Sequence, residues 1–163
     1  MFSPGEQCAQ QRVEGCRSEE TPLPNPTHDR NILHGIRVLV VEDEEDTRDL
    51  LGFLLESHGA TAIAVDNVTD ALAIFTKDHP DIVVTDIGMP DYNGYALIAA
   101  VRHGKSQLRT TPVIALTAYS TPADRDTALI SGFDEYLAKP FEPEELIRTI
   151  KRLYDEHRVD TAA

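Results

Sequence analysis

The stretch IVVTDIGMPD, residues 82–91, is a short apolar run that ends in Asp86 and continues into a loop with Gly, Met and Pro. A continuous run of this kind predicts a strand that is covered on both faces, as in a parallel sheet. Asp86 would then stand at the carboxyl end of the strand, where open parallel sheets bind their ligands.

The same texture extends over the chain from Gly35 onward, where apolar runs alternate with amphipathic stretches. This alternation predicts five strand and helix pairs around a parallel sheet. Gly59 and Gly132 follow predicted helices, and Pro122 and Pro143 begin others, which agrees with the usual positions of these residues. The predicted strands are 37–41, 60–65, 82–85, 113–116 and 135–137, and the predicted helices are 46–57, 68–77, 95–102, 122–131 and 143 to about 157.

The two ends of the chain lack this pattern. Residues 1–35 hold four prolines and few large apolar residues, so we predict a disordered N-terminal tail. Residues 156–163 are predicted to be a short C-terminal tail, too short for an output domain. The expected organisation is therefore one domain over residues 36–155.

Composition excludes several classes of function. The chain carries 15 Lys and Arg against 28 Asp and Glu, a net charge of −13, which disfavours direct binding to nucleic acid or to an anionic membrane. Cys8 and Cys16 follow no zinc or disulfide spacing. No basic segment followed by an apolar run opens the sequence, so we expect a cytoplasmic protein.

Polar residues stand at four of the predicted strand ends. Glu42 and Asp43 follow the first strand, Asp86 the third, Thr117 the fourth and Lys139 the fifth. Each has an ordinary alternative as a helix-start acid, a loop cap, a turn hydroxyl or a surface lysine. Because the carboxyl ends of parallel strands share one edge of the sheet, we expect all five to converge.

Three carboxylates that converge would repel one another, so Glu42, Asp43 and Asp86 together predict a bound cation. Oxygen ligands without His or Cys favour Mg²⁺, with Mn²⁺ as the second choice. An aspartate beside such a metal can act as a nucleophile towards a phosphoryl group, and Lys139 and Thr117 would complete a phosphate clamp.

The motifs VLVVEDE, DIVVTDIGMPDYNG, PVIALTA and GFDEYLAKPF resemble those of a two-component response-regulator receiver domain, over about residues 36–155. The resemblance implies a flavodoxin-like α/β fold with a five-stranded parallel sheet in the order 2-1-3-4-5. It also implies that Asp86 is the phosphoacceptor and that Mg²⁺ is bound by Glu42, Asp43, Asp86 and the backbone carbonyl of Gly88.

The resemblance further implies that Thr117 hydrogen-bonds the phosphoryl group, that Lys139 pairs with it, and that Tyr136 is an aromatic switch. The bond between Lys139 and Pro140 is similar to one that is usually cis in the family. Taken from the residues alone, the preferred interpretation of Tyr136 is a partly buried tyrosine that packs the last strand, and that of Pro140 is an ordinary trans bond.

The resulting hypothesis is a single-domain response regulator that takes a phosphoryl group from a histidine kinase or a histidine phosphotransfer protein onto Asp86. It would be a signalling switch that catalyses only its own phosphorylation and dephosphorylation. The face formed by residues 122–155 would bind a downstream protein partner, and a homodimer is compatible with the sequence.

Two alternatives stay open. A nucleotide-binding enzyme is suggested by GKS at 104–106, although Ala99 stands where a P-loop requires its first glycine. A receiver-like interaction module that no longer responds to phosphorylation would share the fold, but it would have no need for a crowded acidic pocket.

Overall fold

A computed structural model describes residues 31–88, 94–104, 109–118 and 121–162. These residues form five parallel strands in the spatial order β2-β1-β3-β4-β5, which confirms the predicted fold class. The strands are β1 (Arg37–Val41), β2 (Thr61–Val65), β3 (Ile82–Asp86), β4 (Val113–Thr117) and β5 (Glu135–Ala138). The helices are α1 (Glu45–Ser57), α2 (Val68–Asp78), α3 (Gly94–His103), α4 (Pro122–Ser131) and α5 (Pro143–Ala162).

Both faces of the sheet are covered, as the continuous apolar runs predict. Val38 and Val40 point into a core that is shared with α1 and α5. Leu39 and Val41, which alternate with them, point into a second core that is shared with α2, α3 and α4. Since side chains of a strand alternate between its faces, a strand buried on both sides has apolar residues at every position.

Helix boundaries follow the local capping chemistry. Thr121 and Asp124 form a reciprocal capping box at the start of α4, with Pro122 in the first turn. Gly59 and Gly132 adopt φ angles of 92° and 114° after α1 and α4, in the left-handed region that glycine adopts without a steric cost. Pro143 begins α5. The predicted signals at Gly59, Gly132, Pro122 and Pro143 are therefore confirmed.

The strands run one residue further than predicted at the edge where the polar residues lie. Asp86 pairs with Leu116, and Thr117 pairs with Ala138, so β3, β4 and β5 end one residue later than expected. Backbone pairing fixes these end residues in the sheet rather than leaving them in loops.

The predicted tails are wrong at their inner boundaries. Leu33 is fully buried in the core, and its N–H donates to the carbonyl of His58 at 2.9 Å, so residues 31–35 belong to the packed domain. At the other end, α5 continues to Ala162, where a tail from residue 156 was expected. The rest of the predicted disordered segment, residues 1–30, lies outside the described residues.

Every helix within the described ranges falls short of the length and apolar character that a bilayer crossing requires.

One arginine ties together three segments near the amino ends of β4 and β5. Arg102, at the end of α3, donates to the carbonyls of Gly132, Arg109 and Thr111 and to the carboxylate of Asp134. Asp134 in turn accepts the N–H of Val113 at 2.8 Å. The arginine thus supplies donors to three backbone carbonyls that lie outside the strands.

We expect Arg102→Met to lower the free energy of unfolding by about 2–3 kcal/mol, because it removes charge-assisted hydrogen bonds and leaves part-buried acceptors unpaired. The control Arg125→Met removes an exposed arginine whose nearest contact, to Glu135, is 3.9 Å long. It should change stability by less than about 0.5 kcal/mol. Urea unfolding of both variants checks this, and equal stabilities would contradict the role given to Arg102.

Candidate functional site

The sheet brings all five predicted strand-end residues to one edge. Glu42 and Asp43 follow β1, Asp86 ends β3, Thr117 ends β4, and Lys139 follows β5. The registers of the parallel ladders hold these ends level with one another. The predicted convergence is therefore confirmed.

Three carboxylates form the centre of the site. One oxygen from each of Glu42, Asp43 and Asp86 lies within 4.8 Å of the other two. They differ in exposure: Glu42 is buried, Asp86 is half-buried and Asp43 is exposed. Repulsion among three such groups requires a counter-charge at the same place.

Lys139 supplies that counter-charge. Its Nζ lies 2.8 Å from Oε2 of Glu42 and 3.1 Å from Oδ2 of Asp86, so it bridges residues from β1 and β3. Burial lowers the pKa of Lys139, but the hydrogen bond to Glu42 and the charge of Asp86 outweigh burial, and the net pKa is raised. The ammonium is therefore fully charged at neutral pH.

Glu42 is held in an unusual state. Burial, together with the charge of Asp86, raises its pKa from 4.5 to about 7, although the hydrogen bond from Lys139 opposes both effects. The backbone N–H of Glu44 also donates to this carboxylate, at 3.3 Å. These two hydrogen bonds fix the orientation of the Glu42 carboxylate, so a cation that displaced the proton would bind an oriented ligand.

Asp86 is fixed on two sides. Its Oδ1 accepts the backbone N–H of Gly88 at 2.8 Å, and its Oδ2 faces Lys139. Gly94, which begins α3, packs closely behind it: a Cβ there would lie 3.0 Å from the carbonyl oxygen of Asp86. Any side chain at position 94 would thus press on the backbone that carries the carboxylate.

The donor set fits the expected metal. Three carboxylates within 4.8 Å offer hard oxygen ligands. Such ligands suit Mg²⁺ or Mn²⁺, which leave positions for water and phosphate oxygens. Within the described ranges, Glu42, Asp43 and Asp86 form the one cluster of three or more acidic, His or Cys side chains that could hold a metal ion.

Thr117 and Tyr136 lie on the side of the site formed by β4 and β5. Thr117 is buried, and its carbonyl accepts the N–H of Lys139 at 2.7 Å. Tyr136 is also buried, and burial, followed by the charge of Asp124, raises its pKa. Its hydroxyl has no hydrogen-bond partner within the described part of the chain. The Lys139–Pro140 peptide bond is cis, as the family resemblance predicts.

The P-loop alternative is wrong. A P-loop joins a strand to the start of a helix. Gly104 instead follows the end of α3. Lys105 and Ser106 lie outside the described residues.

Sequence reasoning missed Arg48, one turn into α1. Its Nη1 donates to the carbonyl of Glu42 at 3.1 Å and contacts that of Asp43 at 3.5 Å. The sequence shows an arginine beside acidic residues, but no pattern in it identifies backbone carbonyls as the partners of Arg48.

Comparison with known proteins agrees with this geometry. The family model for the response regulator receiver domain matches residues 38–151. A 14.6 kDa protein encoded in the sodA1 3′ region of Leptolyngbya boryana is 45% identical over 115 residues, which cover 71% of this chain and 87% of that protein. The transcriptional regulatory protein YxdJ of Bacillus subtilis is 34% identical over 125 residues, or 74% of this chain and 53% of the relative.

Solved structures show the same fold. The chemotaxis response regulator CheY4 of Vibrio cholerae aligns with a TM-score of 0.67 and 30% identity, over 72% of this chain and 98% of that one. The receiver domain of Francisella response regulator 1452 aligns with a TM-score of 0.69 and 30% identity, over 74% and 98%.

The raised pKa of Glu42 predicts a pH-dependent metal affinity. Because the protonated carboxyl is a poor ligand, Mg²⁺ affinity should fall about tenfold from about pH 8 to about pH 6, as the pH passes through the pKa. Calorimetric titration with Mg²⁺ at several pH values measures this. Glu42→Gln, which cannot titrate, should bind more weakly at the higher pH and show a flat profile; an unchanged slope in this variant would assign the pH dependence to another group.

Proposed function

The chain belongs to the response regulator receiver family, and we propose that Asp86 is its phosphoacceptor. The donor would be a phosphohistidine on a histidine kinase or on a histidine phosphotransfer protein. The observation that carries this proposal is the convergence of Glu42, Asp43 and Asp86 around Lys139 at the carboxyl edge of the sheet.

In the proposed transfer, a carboxylate oxygen of Asp86 attacks the phosphorus atom, the phosphorus–nitrogen bond breaks, and the donor imidazole leaves with the bonding electron pair. Hydrolysis later removes the phosphoryl group: water attacks phosphorus, the bond to the Asp86 oxygen breaks, and inorganic phosphate is released. The chain thus catalyses only its own phosphorylation and dephosphorylation.

Positioning and charge neutralisation supply most of the catalysis in phosphoryl transfer. Receiver domains bind Mg²⁺ at an acidic pocket, and here Glu42, Asp43, Asp86 and the carbonyl of Gly88 would hold it. When bound, the metal supplies positive charge to the phosphoryl oxygens. Lys139 is already in contact with Asp86 and would pair with the phosphoryl group on the opposite side.

The proposed switch follows from the position of Thr117 between the site and β5. In the phosphorylated state its hydroxyl would hydrogen-bond the phosphoryl group, and Tyr136 would follow it inward. Such a response is a shift of population towards a state in which the phosphate makes better contacts. The feature that supports this switch is the buried hydroxyl of Tyr136, for which the described residues offer no hydrogen-bond partner.

A surface next to Tyr136 is the proposed partner site. A cleft of about 400 Å³ lies between α4, β5 and α5, lined by Pro122, Arg125, Tyr136, Ala138 and Glu145 among others. Apart from Thr121, its lining residues fall within residues 122–155. Movement of Tyr136, which is one of them, would change the shape of the cleft directly. A protein partner that binds this face would read the phosphorylation state, and a second copy of the chain is one such partner.

The chain spans about half the length of YxdJ and most of the length of the Leptolyngbya protein. For the downstream effect of phosphorylation, we propose that this receiver acts by binding a protein and not by contact with nucleic acid, because its net charge is −13. The alternative, an interaction module independent of phosphorylation, is not favoured, because the acidic pocket with its lysine is complete.

Intact mass spectrometry after incubation with acetyl phosphate tests the proposal. The wild type should gain one phosphoryl group only when Mg²⁺ is present, and Asp86→Asn should gain none, because an amide cannot act as the nucleophile. The matched control Asp126→Asn changes an exposed aspartate on α4 and should behave as the wild type. Phosphorylation of Asp86→Asn at the wild-type rate would contradict the assignment of Asp86 as the phosphoacceptor.

Thr117→Ala tests the switch separately from the chemistry. The variant should still gain the phosphoryl group on Asp86, but the change in amide NMR shifts across residues 122–155 on phosphorylation should fall to less than about a fifth of the wild-type change, because no hydroxyl links the site to Tyr136. Thr127→Ala, an exposed threonine on α4, is the control. A wild-type response in Thr117→Ala would rule out this route.

A further inference from the structure

We infer that Arg48 is a positioning residue for the metal site, because it holds the backbone of the loop that carries two of the three carboxylates. This inference rests on the proposed function. It concerns residues 42–44, the segment between β1 and α1, which is defined here as the acidic loop.

The three carboxylates are not equally well anchored. That of Glu42 receives Lys139 Nζ at 2.8 Å and the N–H of Glu44 at 3.3 Å. That of Asp86 receives the N–H of Gly88 and Lys139 Nζ. In the described part of the chain, no hydrogen-bond donor contacts the carboxylate of Asp43, which is exposed. Its position is therefore set by the backbone of the acidic loop.

Arg48 binds the backbone of the acidic loop. Its Nη1 lies 3.1 Å from the carbonyl oxygen of Glu42 and 3.5 Å from that of Asp43. Arg48 is itself fixed in the first turn of α1, where its N–H donates to the carbonyl of Glu44 at 2.9 Å. The guanidinium thus links α1 to the backbone of Glu42 and Asp43.

Arg48 has two physical effects on metal affinity, and they act in opposite directions. As a fixed donor it orients the loop, and loss of such outer support weakens metal binding by about 10- to 100-fold. As a positive charge beside the pocket it repels a cation, so its loss would strengthen metal binding. The direction of the change therefore separates positioning from simple electrostatics.

The experiment is calorimetric titration of the full chain with Mg²⁺, without a phosphoryl donor. Arg48→Met should weaken Mg²⁺ affinity about tenfold. Arg48→Lys keeps the charge but lacks the planar group, so it should fall between Arg48→Met and the wild type. The control Arg158→Met removes an exposed arginine near the end of α5 and should stay within about twofold of the wild type.

A second readout separates binding from chemistry. At saturating Mg²⁺, phosphoryl uptake from acetyl phosphate by Arg48→Lys should stay within about threefold of the wild type, because the loop is reordered by the bound metal. A wild-type Mg²⁺ affinity in Arg48→Lys, or a tighter one in Arg48→Met, would overturn the positioning role while leaving the proposed function intact. Failure of the wild type to bind Mg²⁺ would overturn both.

Discussion

An ammonium group held between carboxylates is the interaction on which the arrangement of this site depends. Lys139 follows the last strand, yet its Nζ contacts Glu42 after the first strand and Asp86 at the end of the third. A buried carboxylate is costly unless it is paired. Because β3 and β4 stand between β1 and β5, the pair forms only when these four strands are assembled. The site is thus a product of tertiary structure and not of any single segment.

The sequence predicts the frame of this site because the frame follows simple rules. Strands buried on both faces are apolar throughout, and a polar residue such as Asp86 marks where a strand leaves the core. The identity of Glu42, Asp43, Thr117 and Lys139 then follows from their places at strand ends. The strand boundaries were less predictable, since Asp86 and Thr117 remain paired to neighbouring strands by their backbones.

Contacts between side chains and backbone carbonyls were beyond sequence reasoning. Arg48 and Arg102 both bind carbonyl oxygens, and every residue offers the same carbonyl, so no pattern of residue types identifies the acceptor. Leu33 was missed for a related reason. Ile32 and Leu33 form an apolar pair that is too short to show strand or helix periodicity, and the contact of Leu33 with the turn at His58 lies far away in the sequence.

The ion pairs of Lys139 with Glu42 and Asp86 also give a physical reason for a metal at such a site. In the structure one ammonium serves both Glu42 and Asp86. A phosphoryl group on Asp86 would bring additional negative charge to the same place and compete with Glu42 for the lysine. Glu42 would then require a proton or another cation, since burial, together with the charge of Asp86, raises its pKa to about 7 even while Lys139 is in contact. Under the proposed function, a divalent ion bound by Asp43 and Glu42 would supply that charge. The lysine and the metal would then be complementary counter-ions, one for the phosphoryl group and one for the acidic loop.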